Sequence, residues 1–300
     1  MLVTLVVIMK TGIFIVLLSS FFFAFVPNSA KIALDEGSSL FFLVFSRYAI
    51  GGLILFLFII FIKGKFIIPI TSIPLVIFSS ICACILITLT YHAVDYLDVG
   101  IVMLILYCFP LGVAFVSYAR GKSNISITQW SSIVLLIIGL YFMLSSDKQV
   151  LNSYGLFISF LGLLFFIAFI ITASDLSEQI GATTFNFYLS LIGMTFLLTG
   201  YVLPLGFTIN LPSTDYGYIA IFANGVFYIL SWVLFFKGAS IIGATRSSML
   251  ACVEPLFAAL IAIFLLGQLL SITEWIGFFI VLTAIYIFER NNEGNKVSSK

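Results

Sequence analysis

The chain has few charged side chains for its length. Its 13 basic and 12 acidic residues make up 8% of 300, while 62% are apolar. A soluble globular domain normally has about a quarter of its residues charged. The composition therefore excludes a soluble globule and predicts a polytopic membrane protein. The net charge of +1 also provides no basic stripe of the kind that nucleic-acid-binding proteins use.

Histidine and cysteine are scarce too. His92 is the single histidine, and the four cysteines lie inside apolar runs without a His/Cys cluster around them: Cys82, Cys84, Cys108 and Cys252. This pattern indicates neither a disulfide framework nor a zinc site, so we interpret the cysteines as buried thiols and expect no metal and no cofactor. Nucleophile-elbow, zincin and Walker motifs are missing from the sequence, so we do not expect an enzyme.

Long apolar runs are what the chain has in abundance. Reading these runs against charges, Pro and Gly predicts an all-α polytopic membrane protein with ten transmembrane helices. The predicted spans cover residues 12–33, 39–62, 72–94, 98–119, 126–145, 153–174, 182–205, 215–236, 242–267 and 272–289. An alternative is that the first run is a secretory signal cleaved after Asn28-Ser29-Ala30. Ten spans leave no room for an appended catalytic domain.

The distribution of Lys and Arg predicts the orientation. With ten spans, nine basic residues outside the spans share a side with both termini, against Lys31 and Lys148 opposite. The nine are Lys10, Lys63, Lys65, Arg120, Lys122, Lys237, Arg290, Lys296 and Lys300. Because cytoplasmic loops carry an excess of basic residues, we expect a protein of the cytoplasmic (inner) membrane with both termini in the cytoplasm.

The sequence contains an internal repeat. A shift of 145 residues places Ser126-Ile127-Thr128-Gln129-Trp130 on Ser271-Ile272-Thr273-Glu274-Trp275, and Pro110 on Pro255. We therefore predict a duplicated five-span unit, with residues 1–147 and 148–290 as the two repeats and 291–300 as a disordered cytoplasmic tail. Since five is odd, the second repeat must enter the membrane from the other side. Inverted repeats of this kind are typical of transporters.

Polar chemistry inside the spans is concentrated near the two repeated prolines. Pro110 and Pro255 lie about 18 Å into their spans, near the midplane, where each removes a backbone hydrogen bond and kinks its helix. Glu254, beside Pro255, could bind a cationic group of a substrate or carry a proton; alternatively it is a protonated structural acid bonded to carbonyls that the kink frees. We expect a central cavity bounded by the third, fourth, eighth and ninth spans.

Other in-span groups are candidates for binding or gating. Arg47 lies about nine residues into the second span, whereas Arg246 lies near the cytoplasmic end of the ninth and could simply snorkel there. Asn28 and Lys31 occupy the outer half of the first span, where Lys31 is either an interfacial snorkel or a gate. Tyr91 and His92 end the third span, and His92 is either hydrogen-bonded scaffolding or a proton sensor.

Four further in-span side chains are amphipathic and suited to cup a small organic molecule by stacking and single hydrogen bonds. They are Tyr107, Asn224, Tyr228 and Trp232. Each of them could equally serve as packing, because aromatic residues make up 17% of the chain.

The layout resembles the EamA branch of the drug/metabolite transporter superfamily over essentially the whole chain. The resemblance is carried by the two five-span halves, by Lys31, Arg47 and Pro110, and by the run Glu254-Pro255-Leu256-Phe257-Ala258-Ala259 followed by Leu266-Gly267-Gln268. It implies secondary transport of amino acids, metabolites or drugs, often export, without ATP and with both termini cytoplasmic.

Together, these observations predict a carrier that moves a small, amino-acid-like or drug-like metabolite, as an exporter, by alternating access. Its expected partners are a small-molecule substrate and the lipid bilayer, not nucleic acid. Proton coupling and a homodimeric assembly stay open at this point. The alternative is a non-transporting membrane scaffold or an intramembrane enzyme with an unrecognised site.

Overall fold

The computed structural model describes residues 2–64, 66–144, 152–203, 208–266 and 271–298. The chain is all-helical over these ranges. Its α-helices, in order, are α1 Leu2–Phe23, α2 Phe25–Asp35, α3 Leu40–Phe61, α4 Ile73–Val94, α5 Val99–Leu106, α6 Phe109–Ala119, α7 Ile127–Leu144, α8 Ser153–Ile180, α9 Ala182–Val202, α10 Asp215–Ile242, α11 Ala244–Ala251, α12 Glu254–Leu266 and α13 Ile272–Ser298. A short 3₁₀ turn, Ile70–Ser72, precedes α4. These helices form ten candidate membrane spans, which confirms the predicted fold class.

Two spans extend further than predicted. We expected the sixth and eighth spans to end at residues 174 and 236, but α8 continues to Ile180 and α10 to Ile242. The first charged residue after the apolar run, Asp175, lies within α8 and is paired with Arg120 and Lys122. Both helices instead end at Gly181 and Gly243, whose positive φ angles of 85° and 87° suit glycine.

The two ends of the chain differ from the predicted layout as well. The first helix begins at Leu2 rather than near residue 12. The last helix continues to Ser298, beyond the predicted end of the tenth span at residue 289. Extending an existing helix costs far less than nucleating one, which lets a polar segment continue the tenth span. Lys65, Lys148, Lys300 and the segments 145–151, 204–207 and 267–270 lie outside the described residues.

Three spans are divided into two helices each, and two of them are discontinuous at equivalent places. The fourth span is divided into α5 and α6 at Tyr107 and Cys108, and the ninth into α11 and α12 at Cys252 and Val253. Pro110 and Pro255 each stand second in the helix that follows the break, where the missing N–H of proline has no intrahelical partner to lose. The expectation that these prolines interrupt their helices is confirmed.

The repeated Ser-Ile-Thr-x-Trp string has a structural cause that the sequence analysis missed. At the start of α7, the Ser126 amide donates to Gln129 Oε1 (2.9 Å) and the Gln129 amide donates to Ser126 Oγ (3.3 Å). At the start of α13, the Ser271 amide donates to Glu274 Oε2 (2.6 Å) and the Glu274 amide donates to Ser271 Oγ (3.3 Å). Each string is therefore a reciprocal capping box that begins a membrane helix.

The two chain halves are packed into each other rather than side by side. The most extensive helix contacts join α7 to α13, α1 to α10, α4 to α8 and α3 to α9, and each pair takes one helix from either half. Helices α7 and α13 approach closely because Gly139 and Gly277 face the partner backbone; a Cβ on Gly277 would meet the Gly139 carbonyl at 2.5 Å. Residues far apart in sequence thus meet along the centre of the bundle.

Candidate functional site

A cavity of about 470 Å³ lies at the end of the bundle where α1 begins and α13 approaches the C terminus, called the termini side here. Its lining includes Ser117 from the fourth span and residues 241–246 from the eighth and ninth spans, as expected. The fifth, sixth and tenth spans also contribute, through residues such as Gln129, Asp175 and Phe288, whereas the third span supplies none of its lining. The predicted boundary is therefore corrected: the cavity lies nearer one end of the bundle.

Ion pairs surround this cavity. Asp175 on α8 binds two basic residues of the first half, with Oδ2 at 3.0 Å from Arg120 Nη1 and Oδ1 at 2.5 Å from Lys122 Nζ. Arg246 on α11 forms a bidentate pair with Glu289 on α13, with Nε at 2.8 and 2.9 Å from the two carboxylate oxygens and Nη2 bonded to Oε2. Arg246 is buried, so the expectation that it snorkels is wrong: its charge is balanced inside the bundle.

On the opposite side, hydrogen bonds join two connections between helices. The Ser213 amide and hydroxyl both donate to the Glu36 carbonyl oxygen (2.8 and 2.9 Å), and the Thr214 hydroxyl donates to the Glu36 carboxylate (2.6 Å). The Ser39 amide donates to the Asn210 carbonyl at 3.0 Å. These bonds tie the connection between the first two spans to residues 210–214, which precede α10.

Tyr107 and Glu254 meet where the two broken spans cross. Tyr107 is the first residue of one break, Glu254 directly follows the other, and their side chains interact. Tyr107 is buried, whereas Glu254 is half-buried and forms no ion pair with any described residue. A membrane-embedded carboxyl group without a basic partner can bind a cation, an amine or a proton.

Arg47 is the centre of a second polar cluster. Its Nε donates to Asn224 Oδ1 at 2.9 Å, and its guanidinium carbon lies 4.7 Å from the centroid of the Tyr228 ring. Asn224 in turn donates from Nδ2 to the Val26 carbonyl (2.7 Å) and to Ser29 Oγ (3.1 Å) on α2. The cluster joins α2 and α3 of the first half to α10 of the second.

Aromatic rings continue this cluster inward along α10. The Tyr228 ring lies edge-to-face with those of Tyr48 (6.0 Å) and Trp232 (6.3 Å), and Trp232 contacts Phe23 (4.9 Å) in the same way. The Tyr48 hydroxyl and Trp232 Nε1 are buried and make no hydrogen bond of normal geometry in the described part of the chain, although both lie near the Tyr228 hydroxyl. Three of the four residues predicted as an aromatic cup therefore lie together with Arg47, while Tyr107 lies with Glu254.

Other predicted candidates lie elsewhere. Asn28 donates from Nδ2 to the Ala24 carbonyl (3.0 Å) at the break between α1 and α2, so it supports the helix there. Lys31 is exposed on α2, and Tyr91 is half-buried against the core. His92 is exposed, with Nδ1 at 3.4 Å from Asp95 Oδ2, on the side opposite the cavity.

Sequence reasoning missed Tyr48, Asp175 and Glu289. Asp175 had a signal: it stands 144 residues after Lys31, one less than the repeat shift, but it fell one residue beyond the predicted end of the sixth span. Glu289 stood at the predicted end of the tenth span and resembled an ordinary interfacial residue. Tyr48 follows Arg47 directly, and nothing in its spacing distinguished it from the many other aromatic residues.

In a comparison with known proteins, each half of the chain matches the same family model. The model of the EamA-like transporter family matches residues 10–145 and again 153–289. The "uncharacterized inner membrane transporter YicL" of Salmonella typhimurium is 36% identical over 58 residues, 19% of either chain. An "uncharacterized transporter" of Archaeoglobus fulgidus is 27% identical over 196 residues, 65% of this chain and 68% of its own. A solved crystal structure shares the fold, with a TM-score of 0.78 at 10% identity over 93% of this chain and 98% of its own.

Proposed function

The chain belongs to the EamA-like transporter family and is a multi-pass inner membrane protein, and from this premise we propose that it exports small, amino-acid-like metabolites by alternating access. The observation that carries the proposal is the asymmetry of the bundle. A cavity of about 470 Å³ lies at the termini side, while hydrogen bonds join two connections on the opposite side. We interpret this difference as that of a carrier that is open to one compartment.

The pattern of helix contacts supports an inverted relation between the halves. Suppose that each span of the first half is equivalent to the span five places later. The pairing of the first span with the eighth then corresponds to the pairing of the sixth span with the third, and both pairings are extensive. The second–seventh and fifth–tenth pairs then map onto themselves. A two-fold axis in the membrane plane produces such a pattern, and rocking of one half against the other would move the opening across the membrane.

Two unpaired charges fit a zwitterionic metabolite. Glu254 can receive an ammonium group at the crossing of the broken helices, and Arg47 lies deeper on the closed side beside three aromatic rings. Proton movement through the Glu254 carboxyl group would supply the driving force without ATP. Substrate and proton would then compete for a single carboxylate, which couples their movements in opposite directions.

Orientation decides between export and import. The excess of basic residues on the termini side supports a cytoplasmic position for the cavity, where a substrate for export would enter. Reporter fusions after Lys65 and Lys300 should both report cytoplasm, and a fusion after Lys148 should report the outside. A periplasmic signal from the Lys300 fusion would contradict this orientation.

Transport itself is tested by identifying the substrate without a prior guess. We expect untargeted metabolite profiling to show a metabolite that accumulates in cells lacking the protein and is depleted when it is overproduced. When a proton gradient is imposed on liposomes that contain the purified protein, that metabolite should move in the direction opposite to proton flow. If no metabolite pool responds and no candidate crosses the liposome membrane, the protein is not a carrier, and a scaffold role becomes the better account.

A further inference from the structure

Arg47 is a buried cation without a balancing anion. The residue is 7% exposed, and within the described residues its hydrogen bonds consist of the one from Nε to Asn224, with no carboxylate within salt-bridge distance. A guanidinium group has five N–H donors in a fixed planar fork. Four of these donors, on the two terminal nitrogens, therefore have no hydrogen-bond acceptor in the described parts of the chain.

Burial of such a charge is costly. Removing a cation from water carries a large free-energy penalty, which the contact with the Tyr228 ring offsets in part. The single bond to Asn224 leaves the two terminal guanidinium nitrogens without compensation. An anion received by the free side of the fork would supply the missing compensation.

Neighbouring groups point to the same kind of ligand. The Tyr48 hydroxyl and Trp232 Nε1 are buried without a hydrogen bond of normal geometry, although both lie near the Tyr228 hydroxyl, and each ring touches the Tyr228 ring that lies under the guanidinium. Tyr48 is held in place because its ring lies on Gly193, where a Cβ would meet the ring at 2.8 Å. All these free groups can donate hydrogen bonds, and Trp232 Nε1 can only donate. The surroundings thus suit an acceptor that carries negative charge.

We propose that Arg47 binds the carboxylate of the transported molecule, with Tyr48 and Trp232 as additional donors and the aromatic rings receiving its apolar part. A planar carboxylate matches the fork of two terminal guanidinium nitrogens, which a lysine could not offer. The inference deepens the proposed function, on which it rests, by assigning the acidic end of the substrate to one residue. It predicts that neutral or purely cationic molecules of the same shape are not substrates.

The first test uses two probes of nearly identical shape. Benzoate carries a carboxylate on an aromatic ring, and benzamide replaces it by a neutral amide. We expect benzoate to raise the unfolding temperature of the purified protein in a concentration-dependent way, because a ligand that binds the folded state stabilises it, whereas benzamide should not. Equal stabilisation by both probes would overturn the proposal.

The second test assigns the binding to Arg47. Arg47→Gln should weaken benzoate binding about tenfold or more, which is the loss that corresponds to one charge-assisted hydrogen bond. Arg47→Lys keeps the charge but loses the fork. It should bind benzoate more weakly than the wild type and more tightly than Arg47→Gln. Lys237→Gln, which removes an exposed charge from α10, is the matched control and should bind benzoate as the wild type does. Unchanged binding in Arg47→Gln would contradict the assignment.

A third variant keeps the test informative if the arginine variants fail to fold. Trp232→Phe retains a ring of similar position but removes the Nε1 donor, and we expect it to weaken benzoate binding several-fold while leaving benzamide inert. No weakening in a folded Trp232→Phe protein would remove this residue from the site. With the arginine variants unfolded, the wild-type preference for benzoate over benzamide still decides whether an anion is bound.

Failure of this inference differs from failure of the proposed function. If benzoate binds through Arg47 but no metabolite crosses the liposome membrane, the anion site stands and the transport proposal fails. If a metabolite is transported and neither it nor benzoate depends on Arg47, transport stands and the anion site is rejected.

Discussion

Two buried arginines, one in each half of the chain, have opposite surroundings. Arg246 and Arg47 are about equally buried, at 6% and 7% exposure. Arg246 is held by both oxygens of Glu289, whereas Arg47 has a neutral amide and the face of a tyrosine ring. A paired charge is complete without a ligand and therefore stabilises the fold. An unpaired charge at the same depth is retained at a cost, which is the property expected of a binding group.

The same contrast separates the acids. Asp175 and Glu289 at the termini side each have basic partners, while Glu254 at the crossing of the broken helices has none among the described residues. Charge pairing thus separates the termini side, where the charges are balanced, from the central region, where we propose that a ligand binds. Four predictions test this division, from the largest expected effect to the smallest.

Replacing Glu254 should affect transport most. Glu254→Gln keeps the size and much of the hydrogen bonding of the side chain, but it can neither release a proton nor balance an ammonium group. We expect gradient-driven flux in liposomes to fall to background while the unfolding temperature stays unchanged. If Glu254 is instead a structural acid, the Glu254→Gln protein will transport normally, and Glu254→Leu will lose about 1 to 3 kcal/mol of stability. Normal proton-driven flux in Glu254→Gln would remove this residue from the site.

Breaking the paired arginine should affect folding rather than binding. Glu289→Leu leaves Arg246 buried without its partner, and we expect a loss of about 3 kcal/mol in unfolding free energy. Adding Arg246→Met should recover most of that loss, because the double variant no longer buries an unpaired charge. Glu178→Gln, an exposed acid lining the same cavity, is the control and should change stability by less than about 0.5 kcal/mol. A stable Glu289→Leu protein would contradict the structural role.

Giving Arg47 a partner should make it resemble Arg246. Asn224→Asp places a carboxylate where the amide oxygen now accepts from Nε at 2.9 Å. We expect benzoate binding to weaken about tenfold, or about 1.4 kcal/mol, since the cation is then already neutralised. Asn224→Ala, which leaves the charge unpaired, should keep benzoate binding but lose about 1 to 2 kcal/mol of stability. Equal benzoate affinity in wild type and Asn224→Asp would show that the charge of Arg47 is not what binds.

The smallest effects concern the capping boxes, which should not distinguish the halves. Ser126→Ala and Ser271→Ala each remove the side-chain acceptor at the start of a helix and should cost about 1 kcal/mol apiece in thermal unfolding. Ser131→Ala removes a hydroxyl that is hydrogen-bonded within α7 on its exposed face. This change should cost less than about 0.5 kcal/mol. A loss at only one of the two caps would mean that the repeated string has unequal roles in the two halves.

Some elements of the site were predictable because their causes are local. The breaks beside Pro110 and Pro255 follow from a missing N–H and a ring that clashes with the preceding turn, whatever surrounds the helix. Asn224, Tyr228 and Trp232 are spaced by four residues, so they share one helix face. The contact between Tyr107 and Glu254 could not be predicted from the sequence, because the two residues are 147 positions apart and meet only where the broken spans cross.

The sequence by itself determined the number of spans, the two helix breaks beside the prolines, the duplicated unit and the family. Burial in lipid, proline geometry and a repeated string each depend on residues that are close together in the sequence. Only the tertiary structure decided which charges are paired, which end of the bundle contains the cavity and that Arg47 lies among aromatic rings. The physical reason is that lipid and the protein core are both apolar. A membrane helix can therefore be apolar on every face, and its hydrophobic pattern does not say which side meets another helix.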